Sequence, residues 1–143
     1  MPTAAKNTSE EGSAAFLEHY FDLINYALHT YDTEPLEKLT SQSCVPCGEG
    51  LIDPIWYHAD QGHWQVGGTN HLAVTGATLA SENEGLVSFN LEVDAQTIYS
   101  APNQIVEESP ASNEVITGVA VLKLEGASSS WNVYDINMSI EEH

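Results

Sequence analysis

The sequence predicts an α+β domain, with N-terminal helices packed in a curved, mostly antiparallel sheet. Apolar residues recur every three or four positions from Ala14 to Tyr31, but every two positions in the second half of the chain. The first period belongs to an amphipathic helix and the second to half-buried strands. Order is the third observation. The helical patterns all come first, which favours segregated helices and strands over an alternating layout.

Residues 1–7 are polar and read as a disordered lead-in, with residues 8–143 as one domain. Thr8 and Glu11 match a capping box, so the first helix is expected to start there and run to about Thr30. Phe16, Leu17, Tyr20, Leu23, Ile24, Ala27, Leu28 and Tyr31 make one broad apolar face. Glu18, Asp22 and Asn25 lie mostly on the other. A face this wide needs a large partner surface, and the strands supply it. Asp32-Thr33-Glu34-Pro35 restarts the chain with a capping residue and a first-turn proline. Leu36 and Leu39 give this short second helix an apolar edge, with an end expected near Ser41. Cys44 to Gly50 is a loop by its Pro and Gly content. Asp53 as cap and Pro54 at the first position begin a third helix. Ile55, Trp56 and Ala59 are expected to face the core, and Gly62 to stop the helix.

His63 to Val66 reads as a short strand broken by Gly67-Gly68. Asn70 to Ala80, rich in Thr, Val and Ala, is the next strand, turning at Asn83-Glu84-Gly85. Val87, Phe89, Leu91 and Val93 then alternate with Ser88, Asn90, Glu92 and Asp94. Thr97 to Ser100 continues or bends that strand. Ala101 to Ser112 carries two prolines and reads as a long excursion, with Gln104-Ile105-Val106 touching the sheet. Val115 to Leu124 is apolar at nearly every position, as in a strand covered on both sides. The last strand is Trp131 to Ile140, with Tyr134, Ile136, Met138 and Ile140 expected on one face and Trp131 and Val133 starting the other. A sheet curved round the first helix makes a cone, whose open end is the natural place for a pocket.

The chain has 143 residues, enough for one domain with a real core. Three basic residues, all Lys, face 21 acidic ones, for a formal net charge of −18. Such a polyanion is repelled by phosphate backbones and anionic bilayers, which excludes nucleic-acid binding as a natural role. No run approaches the roughly 20 apolar residues of a membrane helix, and the first residues hold no apolar signal core.

The sharpest local signal is Cys44-Val45-Pro46-Cys47. The leading reading is a Cys44–Cys47 disulfide in an oxidising compartment, closing a small loop worth roughly 2 kcal/mol or less. A thioredoxin-type redox pair is a second reading, but the residues before Cys44 are not a buried strand and no βαβ unit follows. A zinc site of Cys44, Cys47, His58 and His63 is a third. The third helix would carry those histidines on the order of 15 Å from the cysteines, too far to share a metal. His58, Asp60, His63 and His71 form a looser metal candidate against a background of scattered surface histidines. Tyr20, Asp53, His71 and Asp135 are the polar groups able to point into a cone, though no spacing pairs them as acid and base. Trp56, Tyr57 and Trp64 would form an aromatic wall near the helix–strand junction. No phosphate loop or nucleophile elbow is present, and no motif calls for a cofactor.

The helices-then-sheet order, closing on Trp131-Asn132-Val133-Tyr134-Asp135-Ile136, resembles the nuclear-transport-factor-2-like (SnoaL-like) superfamily. More narrowly, the chain resembles a family of uncharacterised actinobacterial lipoproteins, a domain of unknown function. Glu11-Gly12, Phe16, Tyr20, Asn25-Tyr26-Ala27, Tyr31-Asp32-Thr33, Leu36, Cys44-x-x-Cys47 and Gly67-Gly68 carry that resemblance. It implies an exported protein held at the membrane by a lipid anchor, whose attachment cysteine and signal peptide are absent from this chain. It supplies no activity. Three functions follow as expectations. The first is a non-catalytic extracytoplasmic domain binding a small ligand or a protein partner, with Tyr20, Trp56, Tyr57, Trp64, His71 and Asp135 as its candidate contacts. The second is a small isomerase, dehydratase or hydrolase using the cone pocket. The third is a structural module that homodimerises through the open sheet face carrying Val119 and Val121.

Overall fold

The computed structural model describes residues 9–41, 44, 52–81, 83–111, 116–125 and 130–140. The expected lead-in therefore lies outside the described residues, as does Thr8. The first helix, α1 (Glu10–Thr30), is capped instead by Ser9, whose Oγ accepts from the Gly12 amide at 3.0 Å. The cap sits one residue later than the capping-box reading, and the first turn keeps Glu10 and Glu11 at the positive end of the helix dipole.

The buried stripe of α1 is Gly12, Ser13, Phe16, Leu17, Tyr20, Phe21, Ile24 and Ala27. Compared with the expected face it is rotated toward Phe21, which packs on Phe89 with ring centroids 5.5 Å apart. Leu23 and Leu28 are only partly buried against the core. Asn25, expected to face solvent, is a tether. Its Oδ1 accepts from the Asn70 backbone amide (2.8 Å) and side-chain amide (3.1 Å), and its Nδ2 donates to the Asn70 carbonyl (3.0 Å). Tyr31 is the C-cap and not a helical residue, with φ 61° and its amide bonded to the Ala27 carbonyl.

The second helix, α2 (Glu34–Lys38), ends earlier than expected because the chain is recruited by the sheet. Val133 donates to the Leu39 carbonyl and the Ser41 amide donates to Val133, making a short parallel bridge along the last strand. The third helix, α3 (Asp53–Asp60), has Ile52 as N-cap, so Asp53 is the first helical residue and not the cap. Ile55 is its one buried side chain among the described residues, whereas Trp56 is 49% exposed and Ala59 is exposed. An eight-residue helix has room to bury a single narrow edge, and here that edge is centred on Ile55.

Seven strands follow among the described residues: β1 (Trp64–Gly67), β2 (Asn70–Ser81), β3 (Glu84–Val93), β4 (Gln96–Ala101), β5 (Gln104–Ser109), β6 (Ile116–Glu125) and β7 (Ser130–Ile140). They form two antiparallel sheets, β1-β4-β5 and β2-β3-β6-β7. The curved sheet is thus realised as two pieces joined at a bend. Gly67 and Gly68 both take φ near +75°, a left-handed backbone that glycine adopts at little cost. Across the bend the Gly68 amide bonds Ala95, and the Asp94 amide bonds Thr69, so hydrogen bonding is not interrupted.

The expected excursion at Ala101 to Ser112 is mostly a strand. Ala101 pairs with Gln104 across Pro102 and Asn103, and Asn103 sits at φ 78°. Proline then Asn with positive φ suits a tight hairpin turn, a signal outweighed in the sequence by the proline content. β6 is not covered on both sides. Ala120 and Leu122 are buried beneath α1, whereas Val119 is 38% exposed on the open face. The expected faces of β7 are also corrected. A bulge at Tyr134, where Val121 opposes Asp135 and Leu122 opposes Val133, shifts the alternation. Trp131, Val133 and Ile136 all face the core as a result.

Candidate ligand-binding site

The open end of the cone, between the end of α1, α3 and the small sheet, holds a cavity of about 180 Å3. Leu28, Tyr31, Pro54, Ile55, His58, Gln65, Gln96, Ile98 and Glu107 line it. Each element delivers its residues for a local reason. Pro54, Ile55 and His58 share one edge of α3 by helical spacing. In the small sheet Gln65 pairs with Ile98 and Ile98 with Glu107, so the three share a face. A bulge at Val106 restores Ile105 opposite Tyr99 and sets that register.

The end of α3 is a Schellman motif. Gly62, at φ 73°, lets its amide bond Ala59 at 3.1 Å and the His63 amide bond His58 at 2.9 Å. The chain turns back over the helix, and His63 Nδ1 comes within 2.9 Å of His58 Nδ1. One ring donates and the other accepts. His58 Nε2 then faces the Glu107 carboxylate at 3.9 Å, with the His58 side chain 15% exposed and that of Glu107 53%. The cavity thus has an apolar floor of Leu28, Ile55 and Ile98, and a polar relay of His63, His58 and Glu107 on one wall.

Tyr31 forms another part of the wall and bears two costs. It holds a left-handed backbone without being glycine, worth about 1 kcal/mol. Its hydroxyl is buried and has no hydrogen-bond partner among the described residues. Leaving such a group unmet costs about 1–3 kcal/mol. Burial also pushes the Tyr31 phenol pKa up, so the group stays a neutral hydroxyl at ordinary pH.

The residues singled out in the sequence are dispersed. Tyr20 is fully buried beneath the sheet and bonds Thr40 Oγ1 at 2.7 Å, so it is a core residue. Trp56 donates its indole N–H to Thr33 Oγ1 at 2.7 Å and shares an exposed surface of α3 with Tyr57. Trp64 lies on the opposite face of β1 from Gln65, stacked on Tyr99 at 5.7 Å, so the three aromatics do not form one wall. His71 pairs with Asp94 at 2.9 Å on the surface of the large sheet, away from His58 and His63. Asp135 lies on the open face and accepts from the Ile136 amide. Asp53 begins α3 beside Trp56, outside this cavity.

Cys44 is 3% exposed within the core, and Cys47 lies outside the described residues. No group of three or more His, Cys, Asp or Glu side chains among the described residues is arranged to hold a metal ion. Of the four polar groups expected to converge, none lines the cavity. Tyr31 and His58 were visible as a helix-end aromatic and a helix histidine. Glu107 was hidden because its segment read as an excursion.

The family profile that matches this chain runs over residues 1–137 and is described as a family of unknown function (DUF6318). The chain belongs to that family. No curated relative matches it. Among solved structures it is similar to the intermembrane space region of the chloroplast protein ARC6, with TM-score 0.69 and 12% identity over 93% of this chain and 98% of that one. It is also similar to a protein of unknown function from Rhodospirillum rubrum, described as NTF2-like, with TM-score 0.58 and 15% identity over 88% and 98% of the two chains. A third similar structure, from Catenulispora acidiphila in complex with S-DNPA, has TM-score 0.51 and 12% identity over 90% and 93%. These likenesses, with the architecture above, make the fold of this DUF6318 chain a nuclear-transport-factor-2-like cone.

Proposed function

We propose that this chain is a non-catalytic, extracytoplasmic domain that binds a small ligand at the open end of its cone. The observation that carries the reading is the cavity of about 180 Å3, where an apolar floor of Leu28, Ile55 and Ile98 meets the polar side chains of Gln65, Gln96, His58 and Glu107. Polar side chains beside an apolar floor give a ligand both hydrogen bonds and a surface to bury. That a similar structure was solved in complex with S-DNPA supports the ligand-binding reading. The exported, lipid-anchored setting rests on the sequence resemblance, and a Cys44–Cys47 disulfide belongs to the same proposal. No helix among the described residues is long and apolar enough to cross a membrane.

A ligand-observed NMR screen of small neutral fragments tests this. Gln96→Trp, at a half-buried lining position, is designed to fill the cavity without disturbing the core. Fragments that bind the wild type and lose binding in Gln96→Trp are the expected result. An absence of hits, or hits unaffected by the substitution, contradicts it. The mass of the unreduced protein tests the disulfide: it should fall short of the reduced mass by two hydrogens.

One observation favours a second reading, a small acid–base enzyme. His58 faces Glu107 at 3.9 Å on one wall of the cavity with His63 behind, an arrangement able to take a proton from a substrate and return it. Under this reading His58→Gln abolishes turnover of a bound substrate while leaving its binding within a few-fold. Under the leading reading the wild type turns over nothing it binds.

A further inference from the structure

The charges around the cavity narrow its ligand. The chain has three cationic side chains, Lys6, Lys38 and Lys123. Lys38 pairs with Glu34 on the exposed surface of α2, and Lys123 lies over the Tyr134 ring at 3.7 Å. Among the described residues no Lys or Arg lines the cavity. An anionic ligand would meet no Lys or Arg among the described residues of the lining, and would enter against Glu107 and a net charge of −18. Unpaired charge in a partly dry site is strongly disfavoured.

The remaining polar inventory favours a donor-bearing guest. Glu107 offers only acceptors in its ionised form. Gln65 spends one of its two Nε2 hydrogens on the Gly67 carbonyl at 3.0 Å and keeps the other, with its Oε1 as an acceptor. Gln96 adds an amide that can accept as well as donate. Leu28, Ile55 and Ile98 supply the apolar surface. At roughly 30 Å3 per water-sized group, the volume suits a molecule of about six heavy atoms.

We propose that the cavity takes a compact organic monocation, a primary alkylammonium of about six heavy atoms, its charge neutralised by Glu107 and its chain laid against Leu28, Ile55 and Ile98. The inference rests on the ligand-site reading above and adds the sign of the ligand's charge.

The test compares pentylammonium, pentanol and pentanoate, three probes of one shape and different charge, in 1H–15N NMR titrations of the whole chain at neutral pH. Pentylammonium should give saturable shifts at Leu28, Tyr31, Ile55 and Ile98, at least about tenfold tighter than pentanol, with pentanoate silent. Glu107→Gln should shrink the preference for the amine over the alcohol to within about threefold, and Gln96→Trp should remove the shifts of both. If pentanol or pentanoate binds the cavity as tightly as the amine, the cation inference falls and the ligand site stands. If the amine shifts only scattered acidic surface residues without saturating, the inference falls as an effect of net charge. If none of the three reaches the cavity, both readings fall together.

Discussion

At the scale of single residues, Tyr20 separates core from site. Thr40 donates its one hydroxyl hydrogen to the Leu36 carbonyl at 2.7 Å, so the Tyr20 hydroxyl is the donor in the bond it makes to Thr40. Tyr20→Phe should cost about 1 kcal/mol at neutral pH, read from chemical denaturation. Burial also pushes the Tyr20 pKa up from 10.0 to about 12. Below pH 10 folded and unfolded chains both keep this proton, and stability is undiminished. Above it the unfolded chain ionises first, and stability falls until the pH reaches about 12, by about 3 kcal/mol in all. Tyr20→Phe should lack that alkaline loss, so the two proteins' stability curves converge or cross at high pH. Parallel curves would mean the phenol is not held neutral by burial. His19 acts in the opposite sense at the acid end. Desolvation lowers its pKa from 6.5, so stability is kept above 6.5 and declines as pH falls below it. His19→Gln should flatten that decline, as a melting series from neutral to acid pH would show.

Among the elements, the joints matter more than the spans. α1 is fixed to the start of β2 by the three Asn25–Asn70 bonds, and Asn25→Ala should lose about 1–3 kcal/mol. A loss no larger than that of an exposed helix substitution would show that the tether contributes nothing. Gly62 holds the turn that seats His63 on His58. Gly62→Ala has open space for its methyl but a left-handed backbone to maintain, so it should cost about 1 kcal/mol. It should also shift the imidazole signals of both histidines together. The spans were legible in the sequence because periodicity reports which face is buried: the Val87-Phe89-Leu91 face of β3 is as its spacing implied, and α1 is a helix over nearly the expected residues with its buried stripe turned toward Phe21. The joints were not. Asn25 is polar on a helix and reads as solvated unless Asn70 is known to lie opposite. The bulges at Tyr134 and Val106 break alternation without any Gly or Pro to announce them. The cavity was equally hidden, since it takes its lining from five elements spread over residues 28 to 107.

For the whole molecule, the net charge of −18 is the dominant global term. Two ion pairs among those described, Glu34–Lys38 and His71–Asp94, are surface pairs worth at most about 1 kcal/mol each. Self-repulsion therefore weakens the compact state, and salt should relieve it. Raising sodium chloride from low to high concentration is expected to raise Tm by several degrees, with no change in oligomeric state needed. A Tm indifferent to salt would mean the acidic side chains are spread widely enough to ignore one another. The cone itself follows from packing: the helix stripe with Phe16 and Phe21 meets Phe89 of β3 and fills the body of the sheet, and one space is left where the short α3 and the small sheet close the end.

That remaining space is where Tyr31 stands, and the measurement that bears most directly on a ligand site there is the effect of Tyr31→Phe on the ligand-free protein. If a ligand opens the wall to reach this buried, unmet hydroxyl, removing it should leave the free protein's stability unchanged or raise it by about 1 kcal/mol, while weakening ligand binding. A destabilised free protein would contradict this, because it would mean that the hydroxyl already has its partner within the fold.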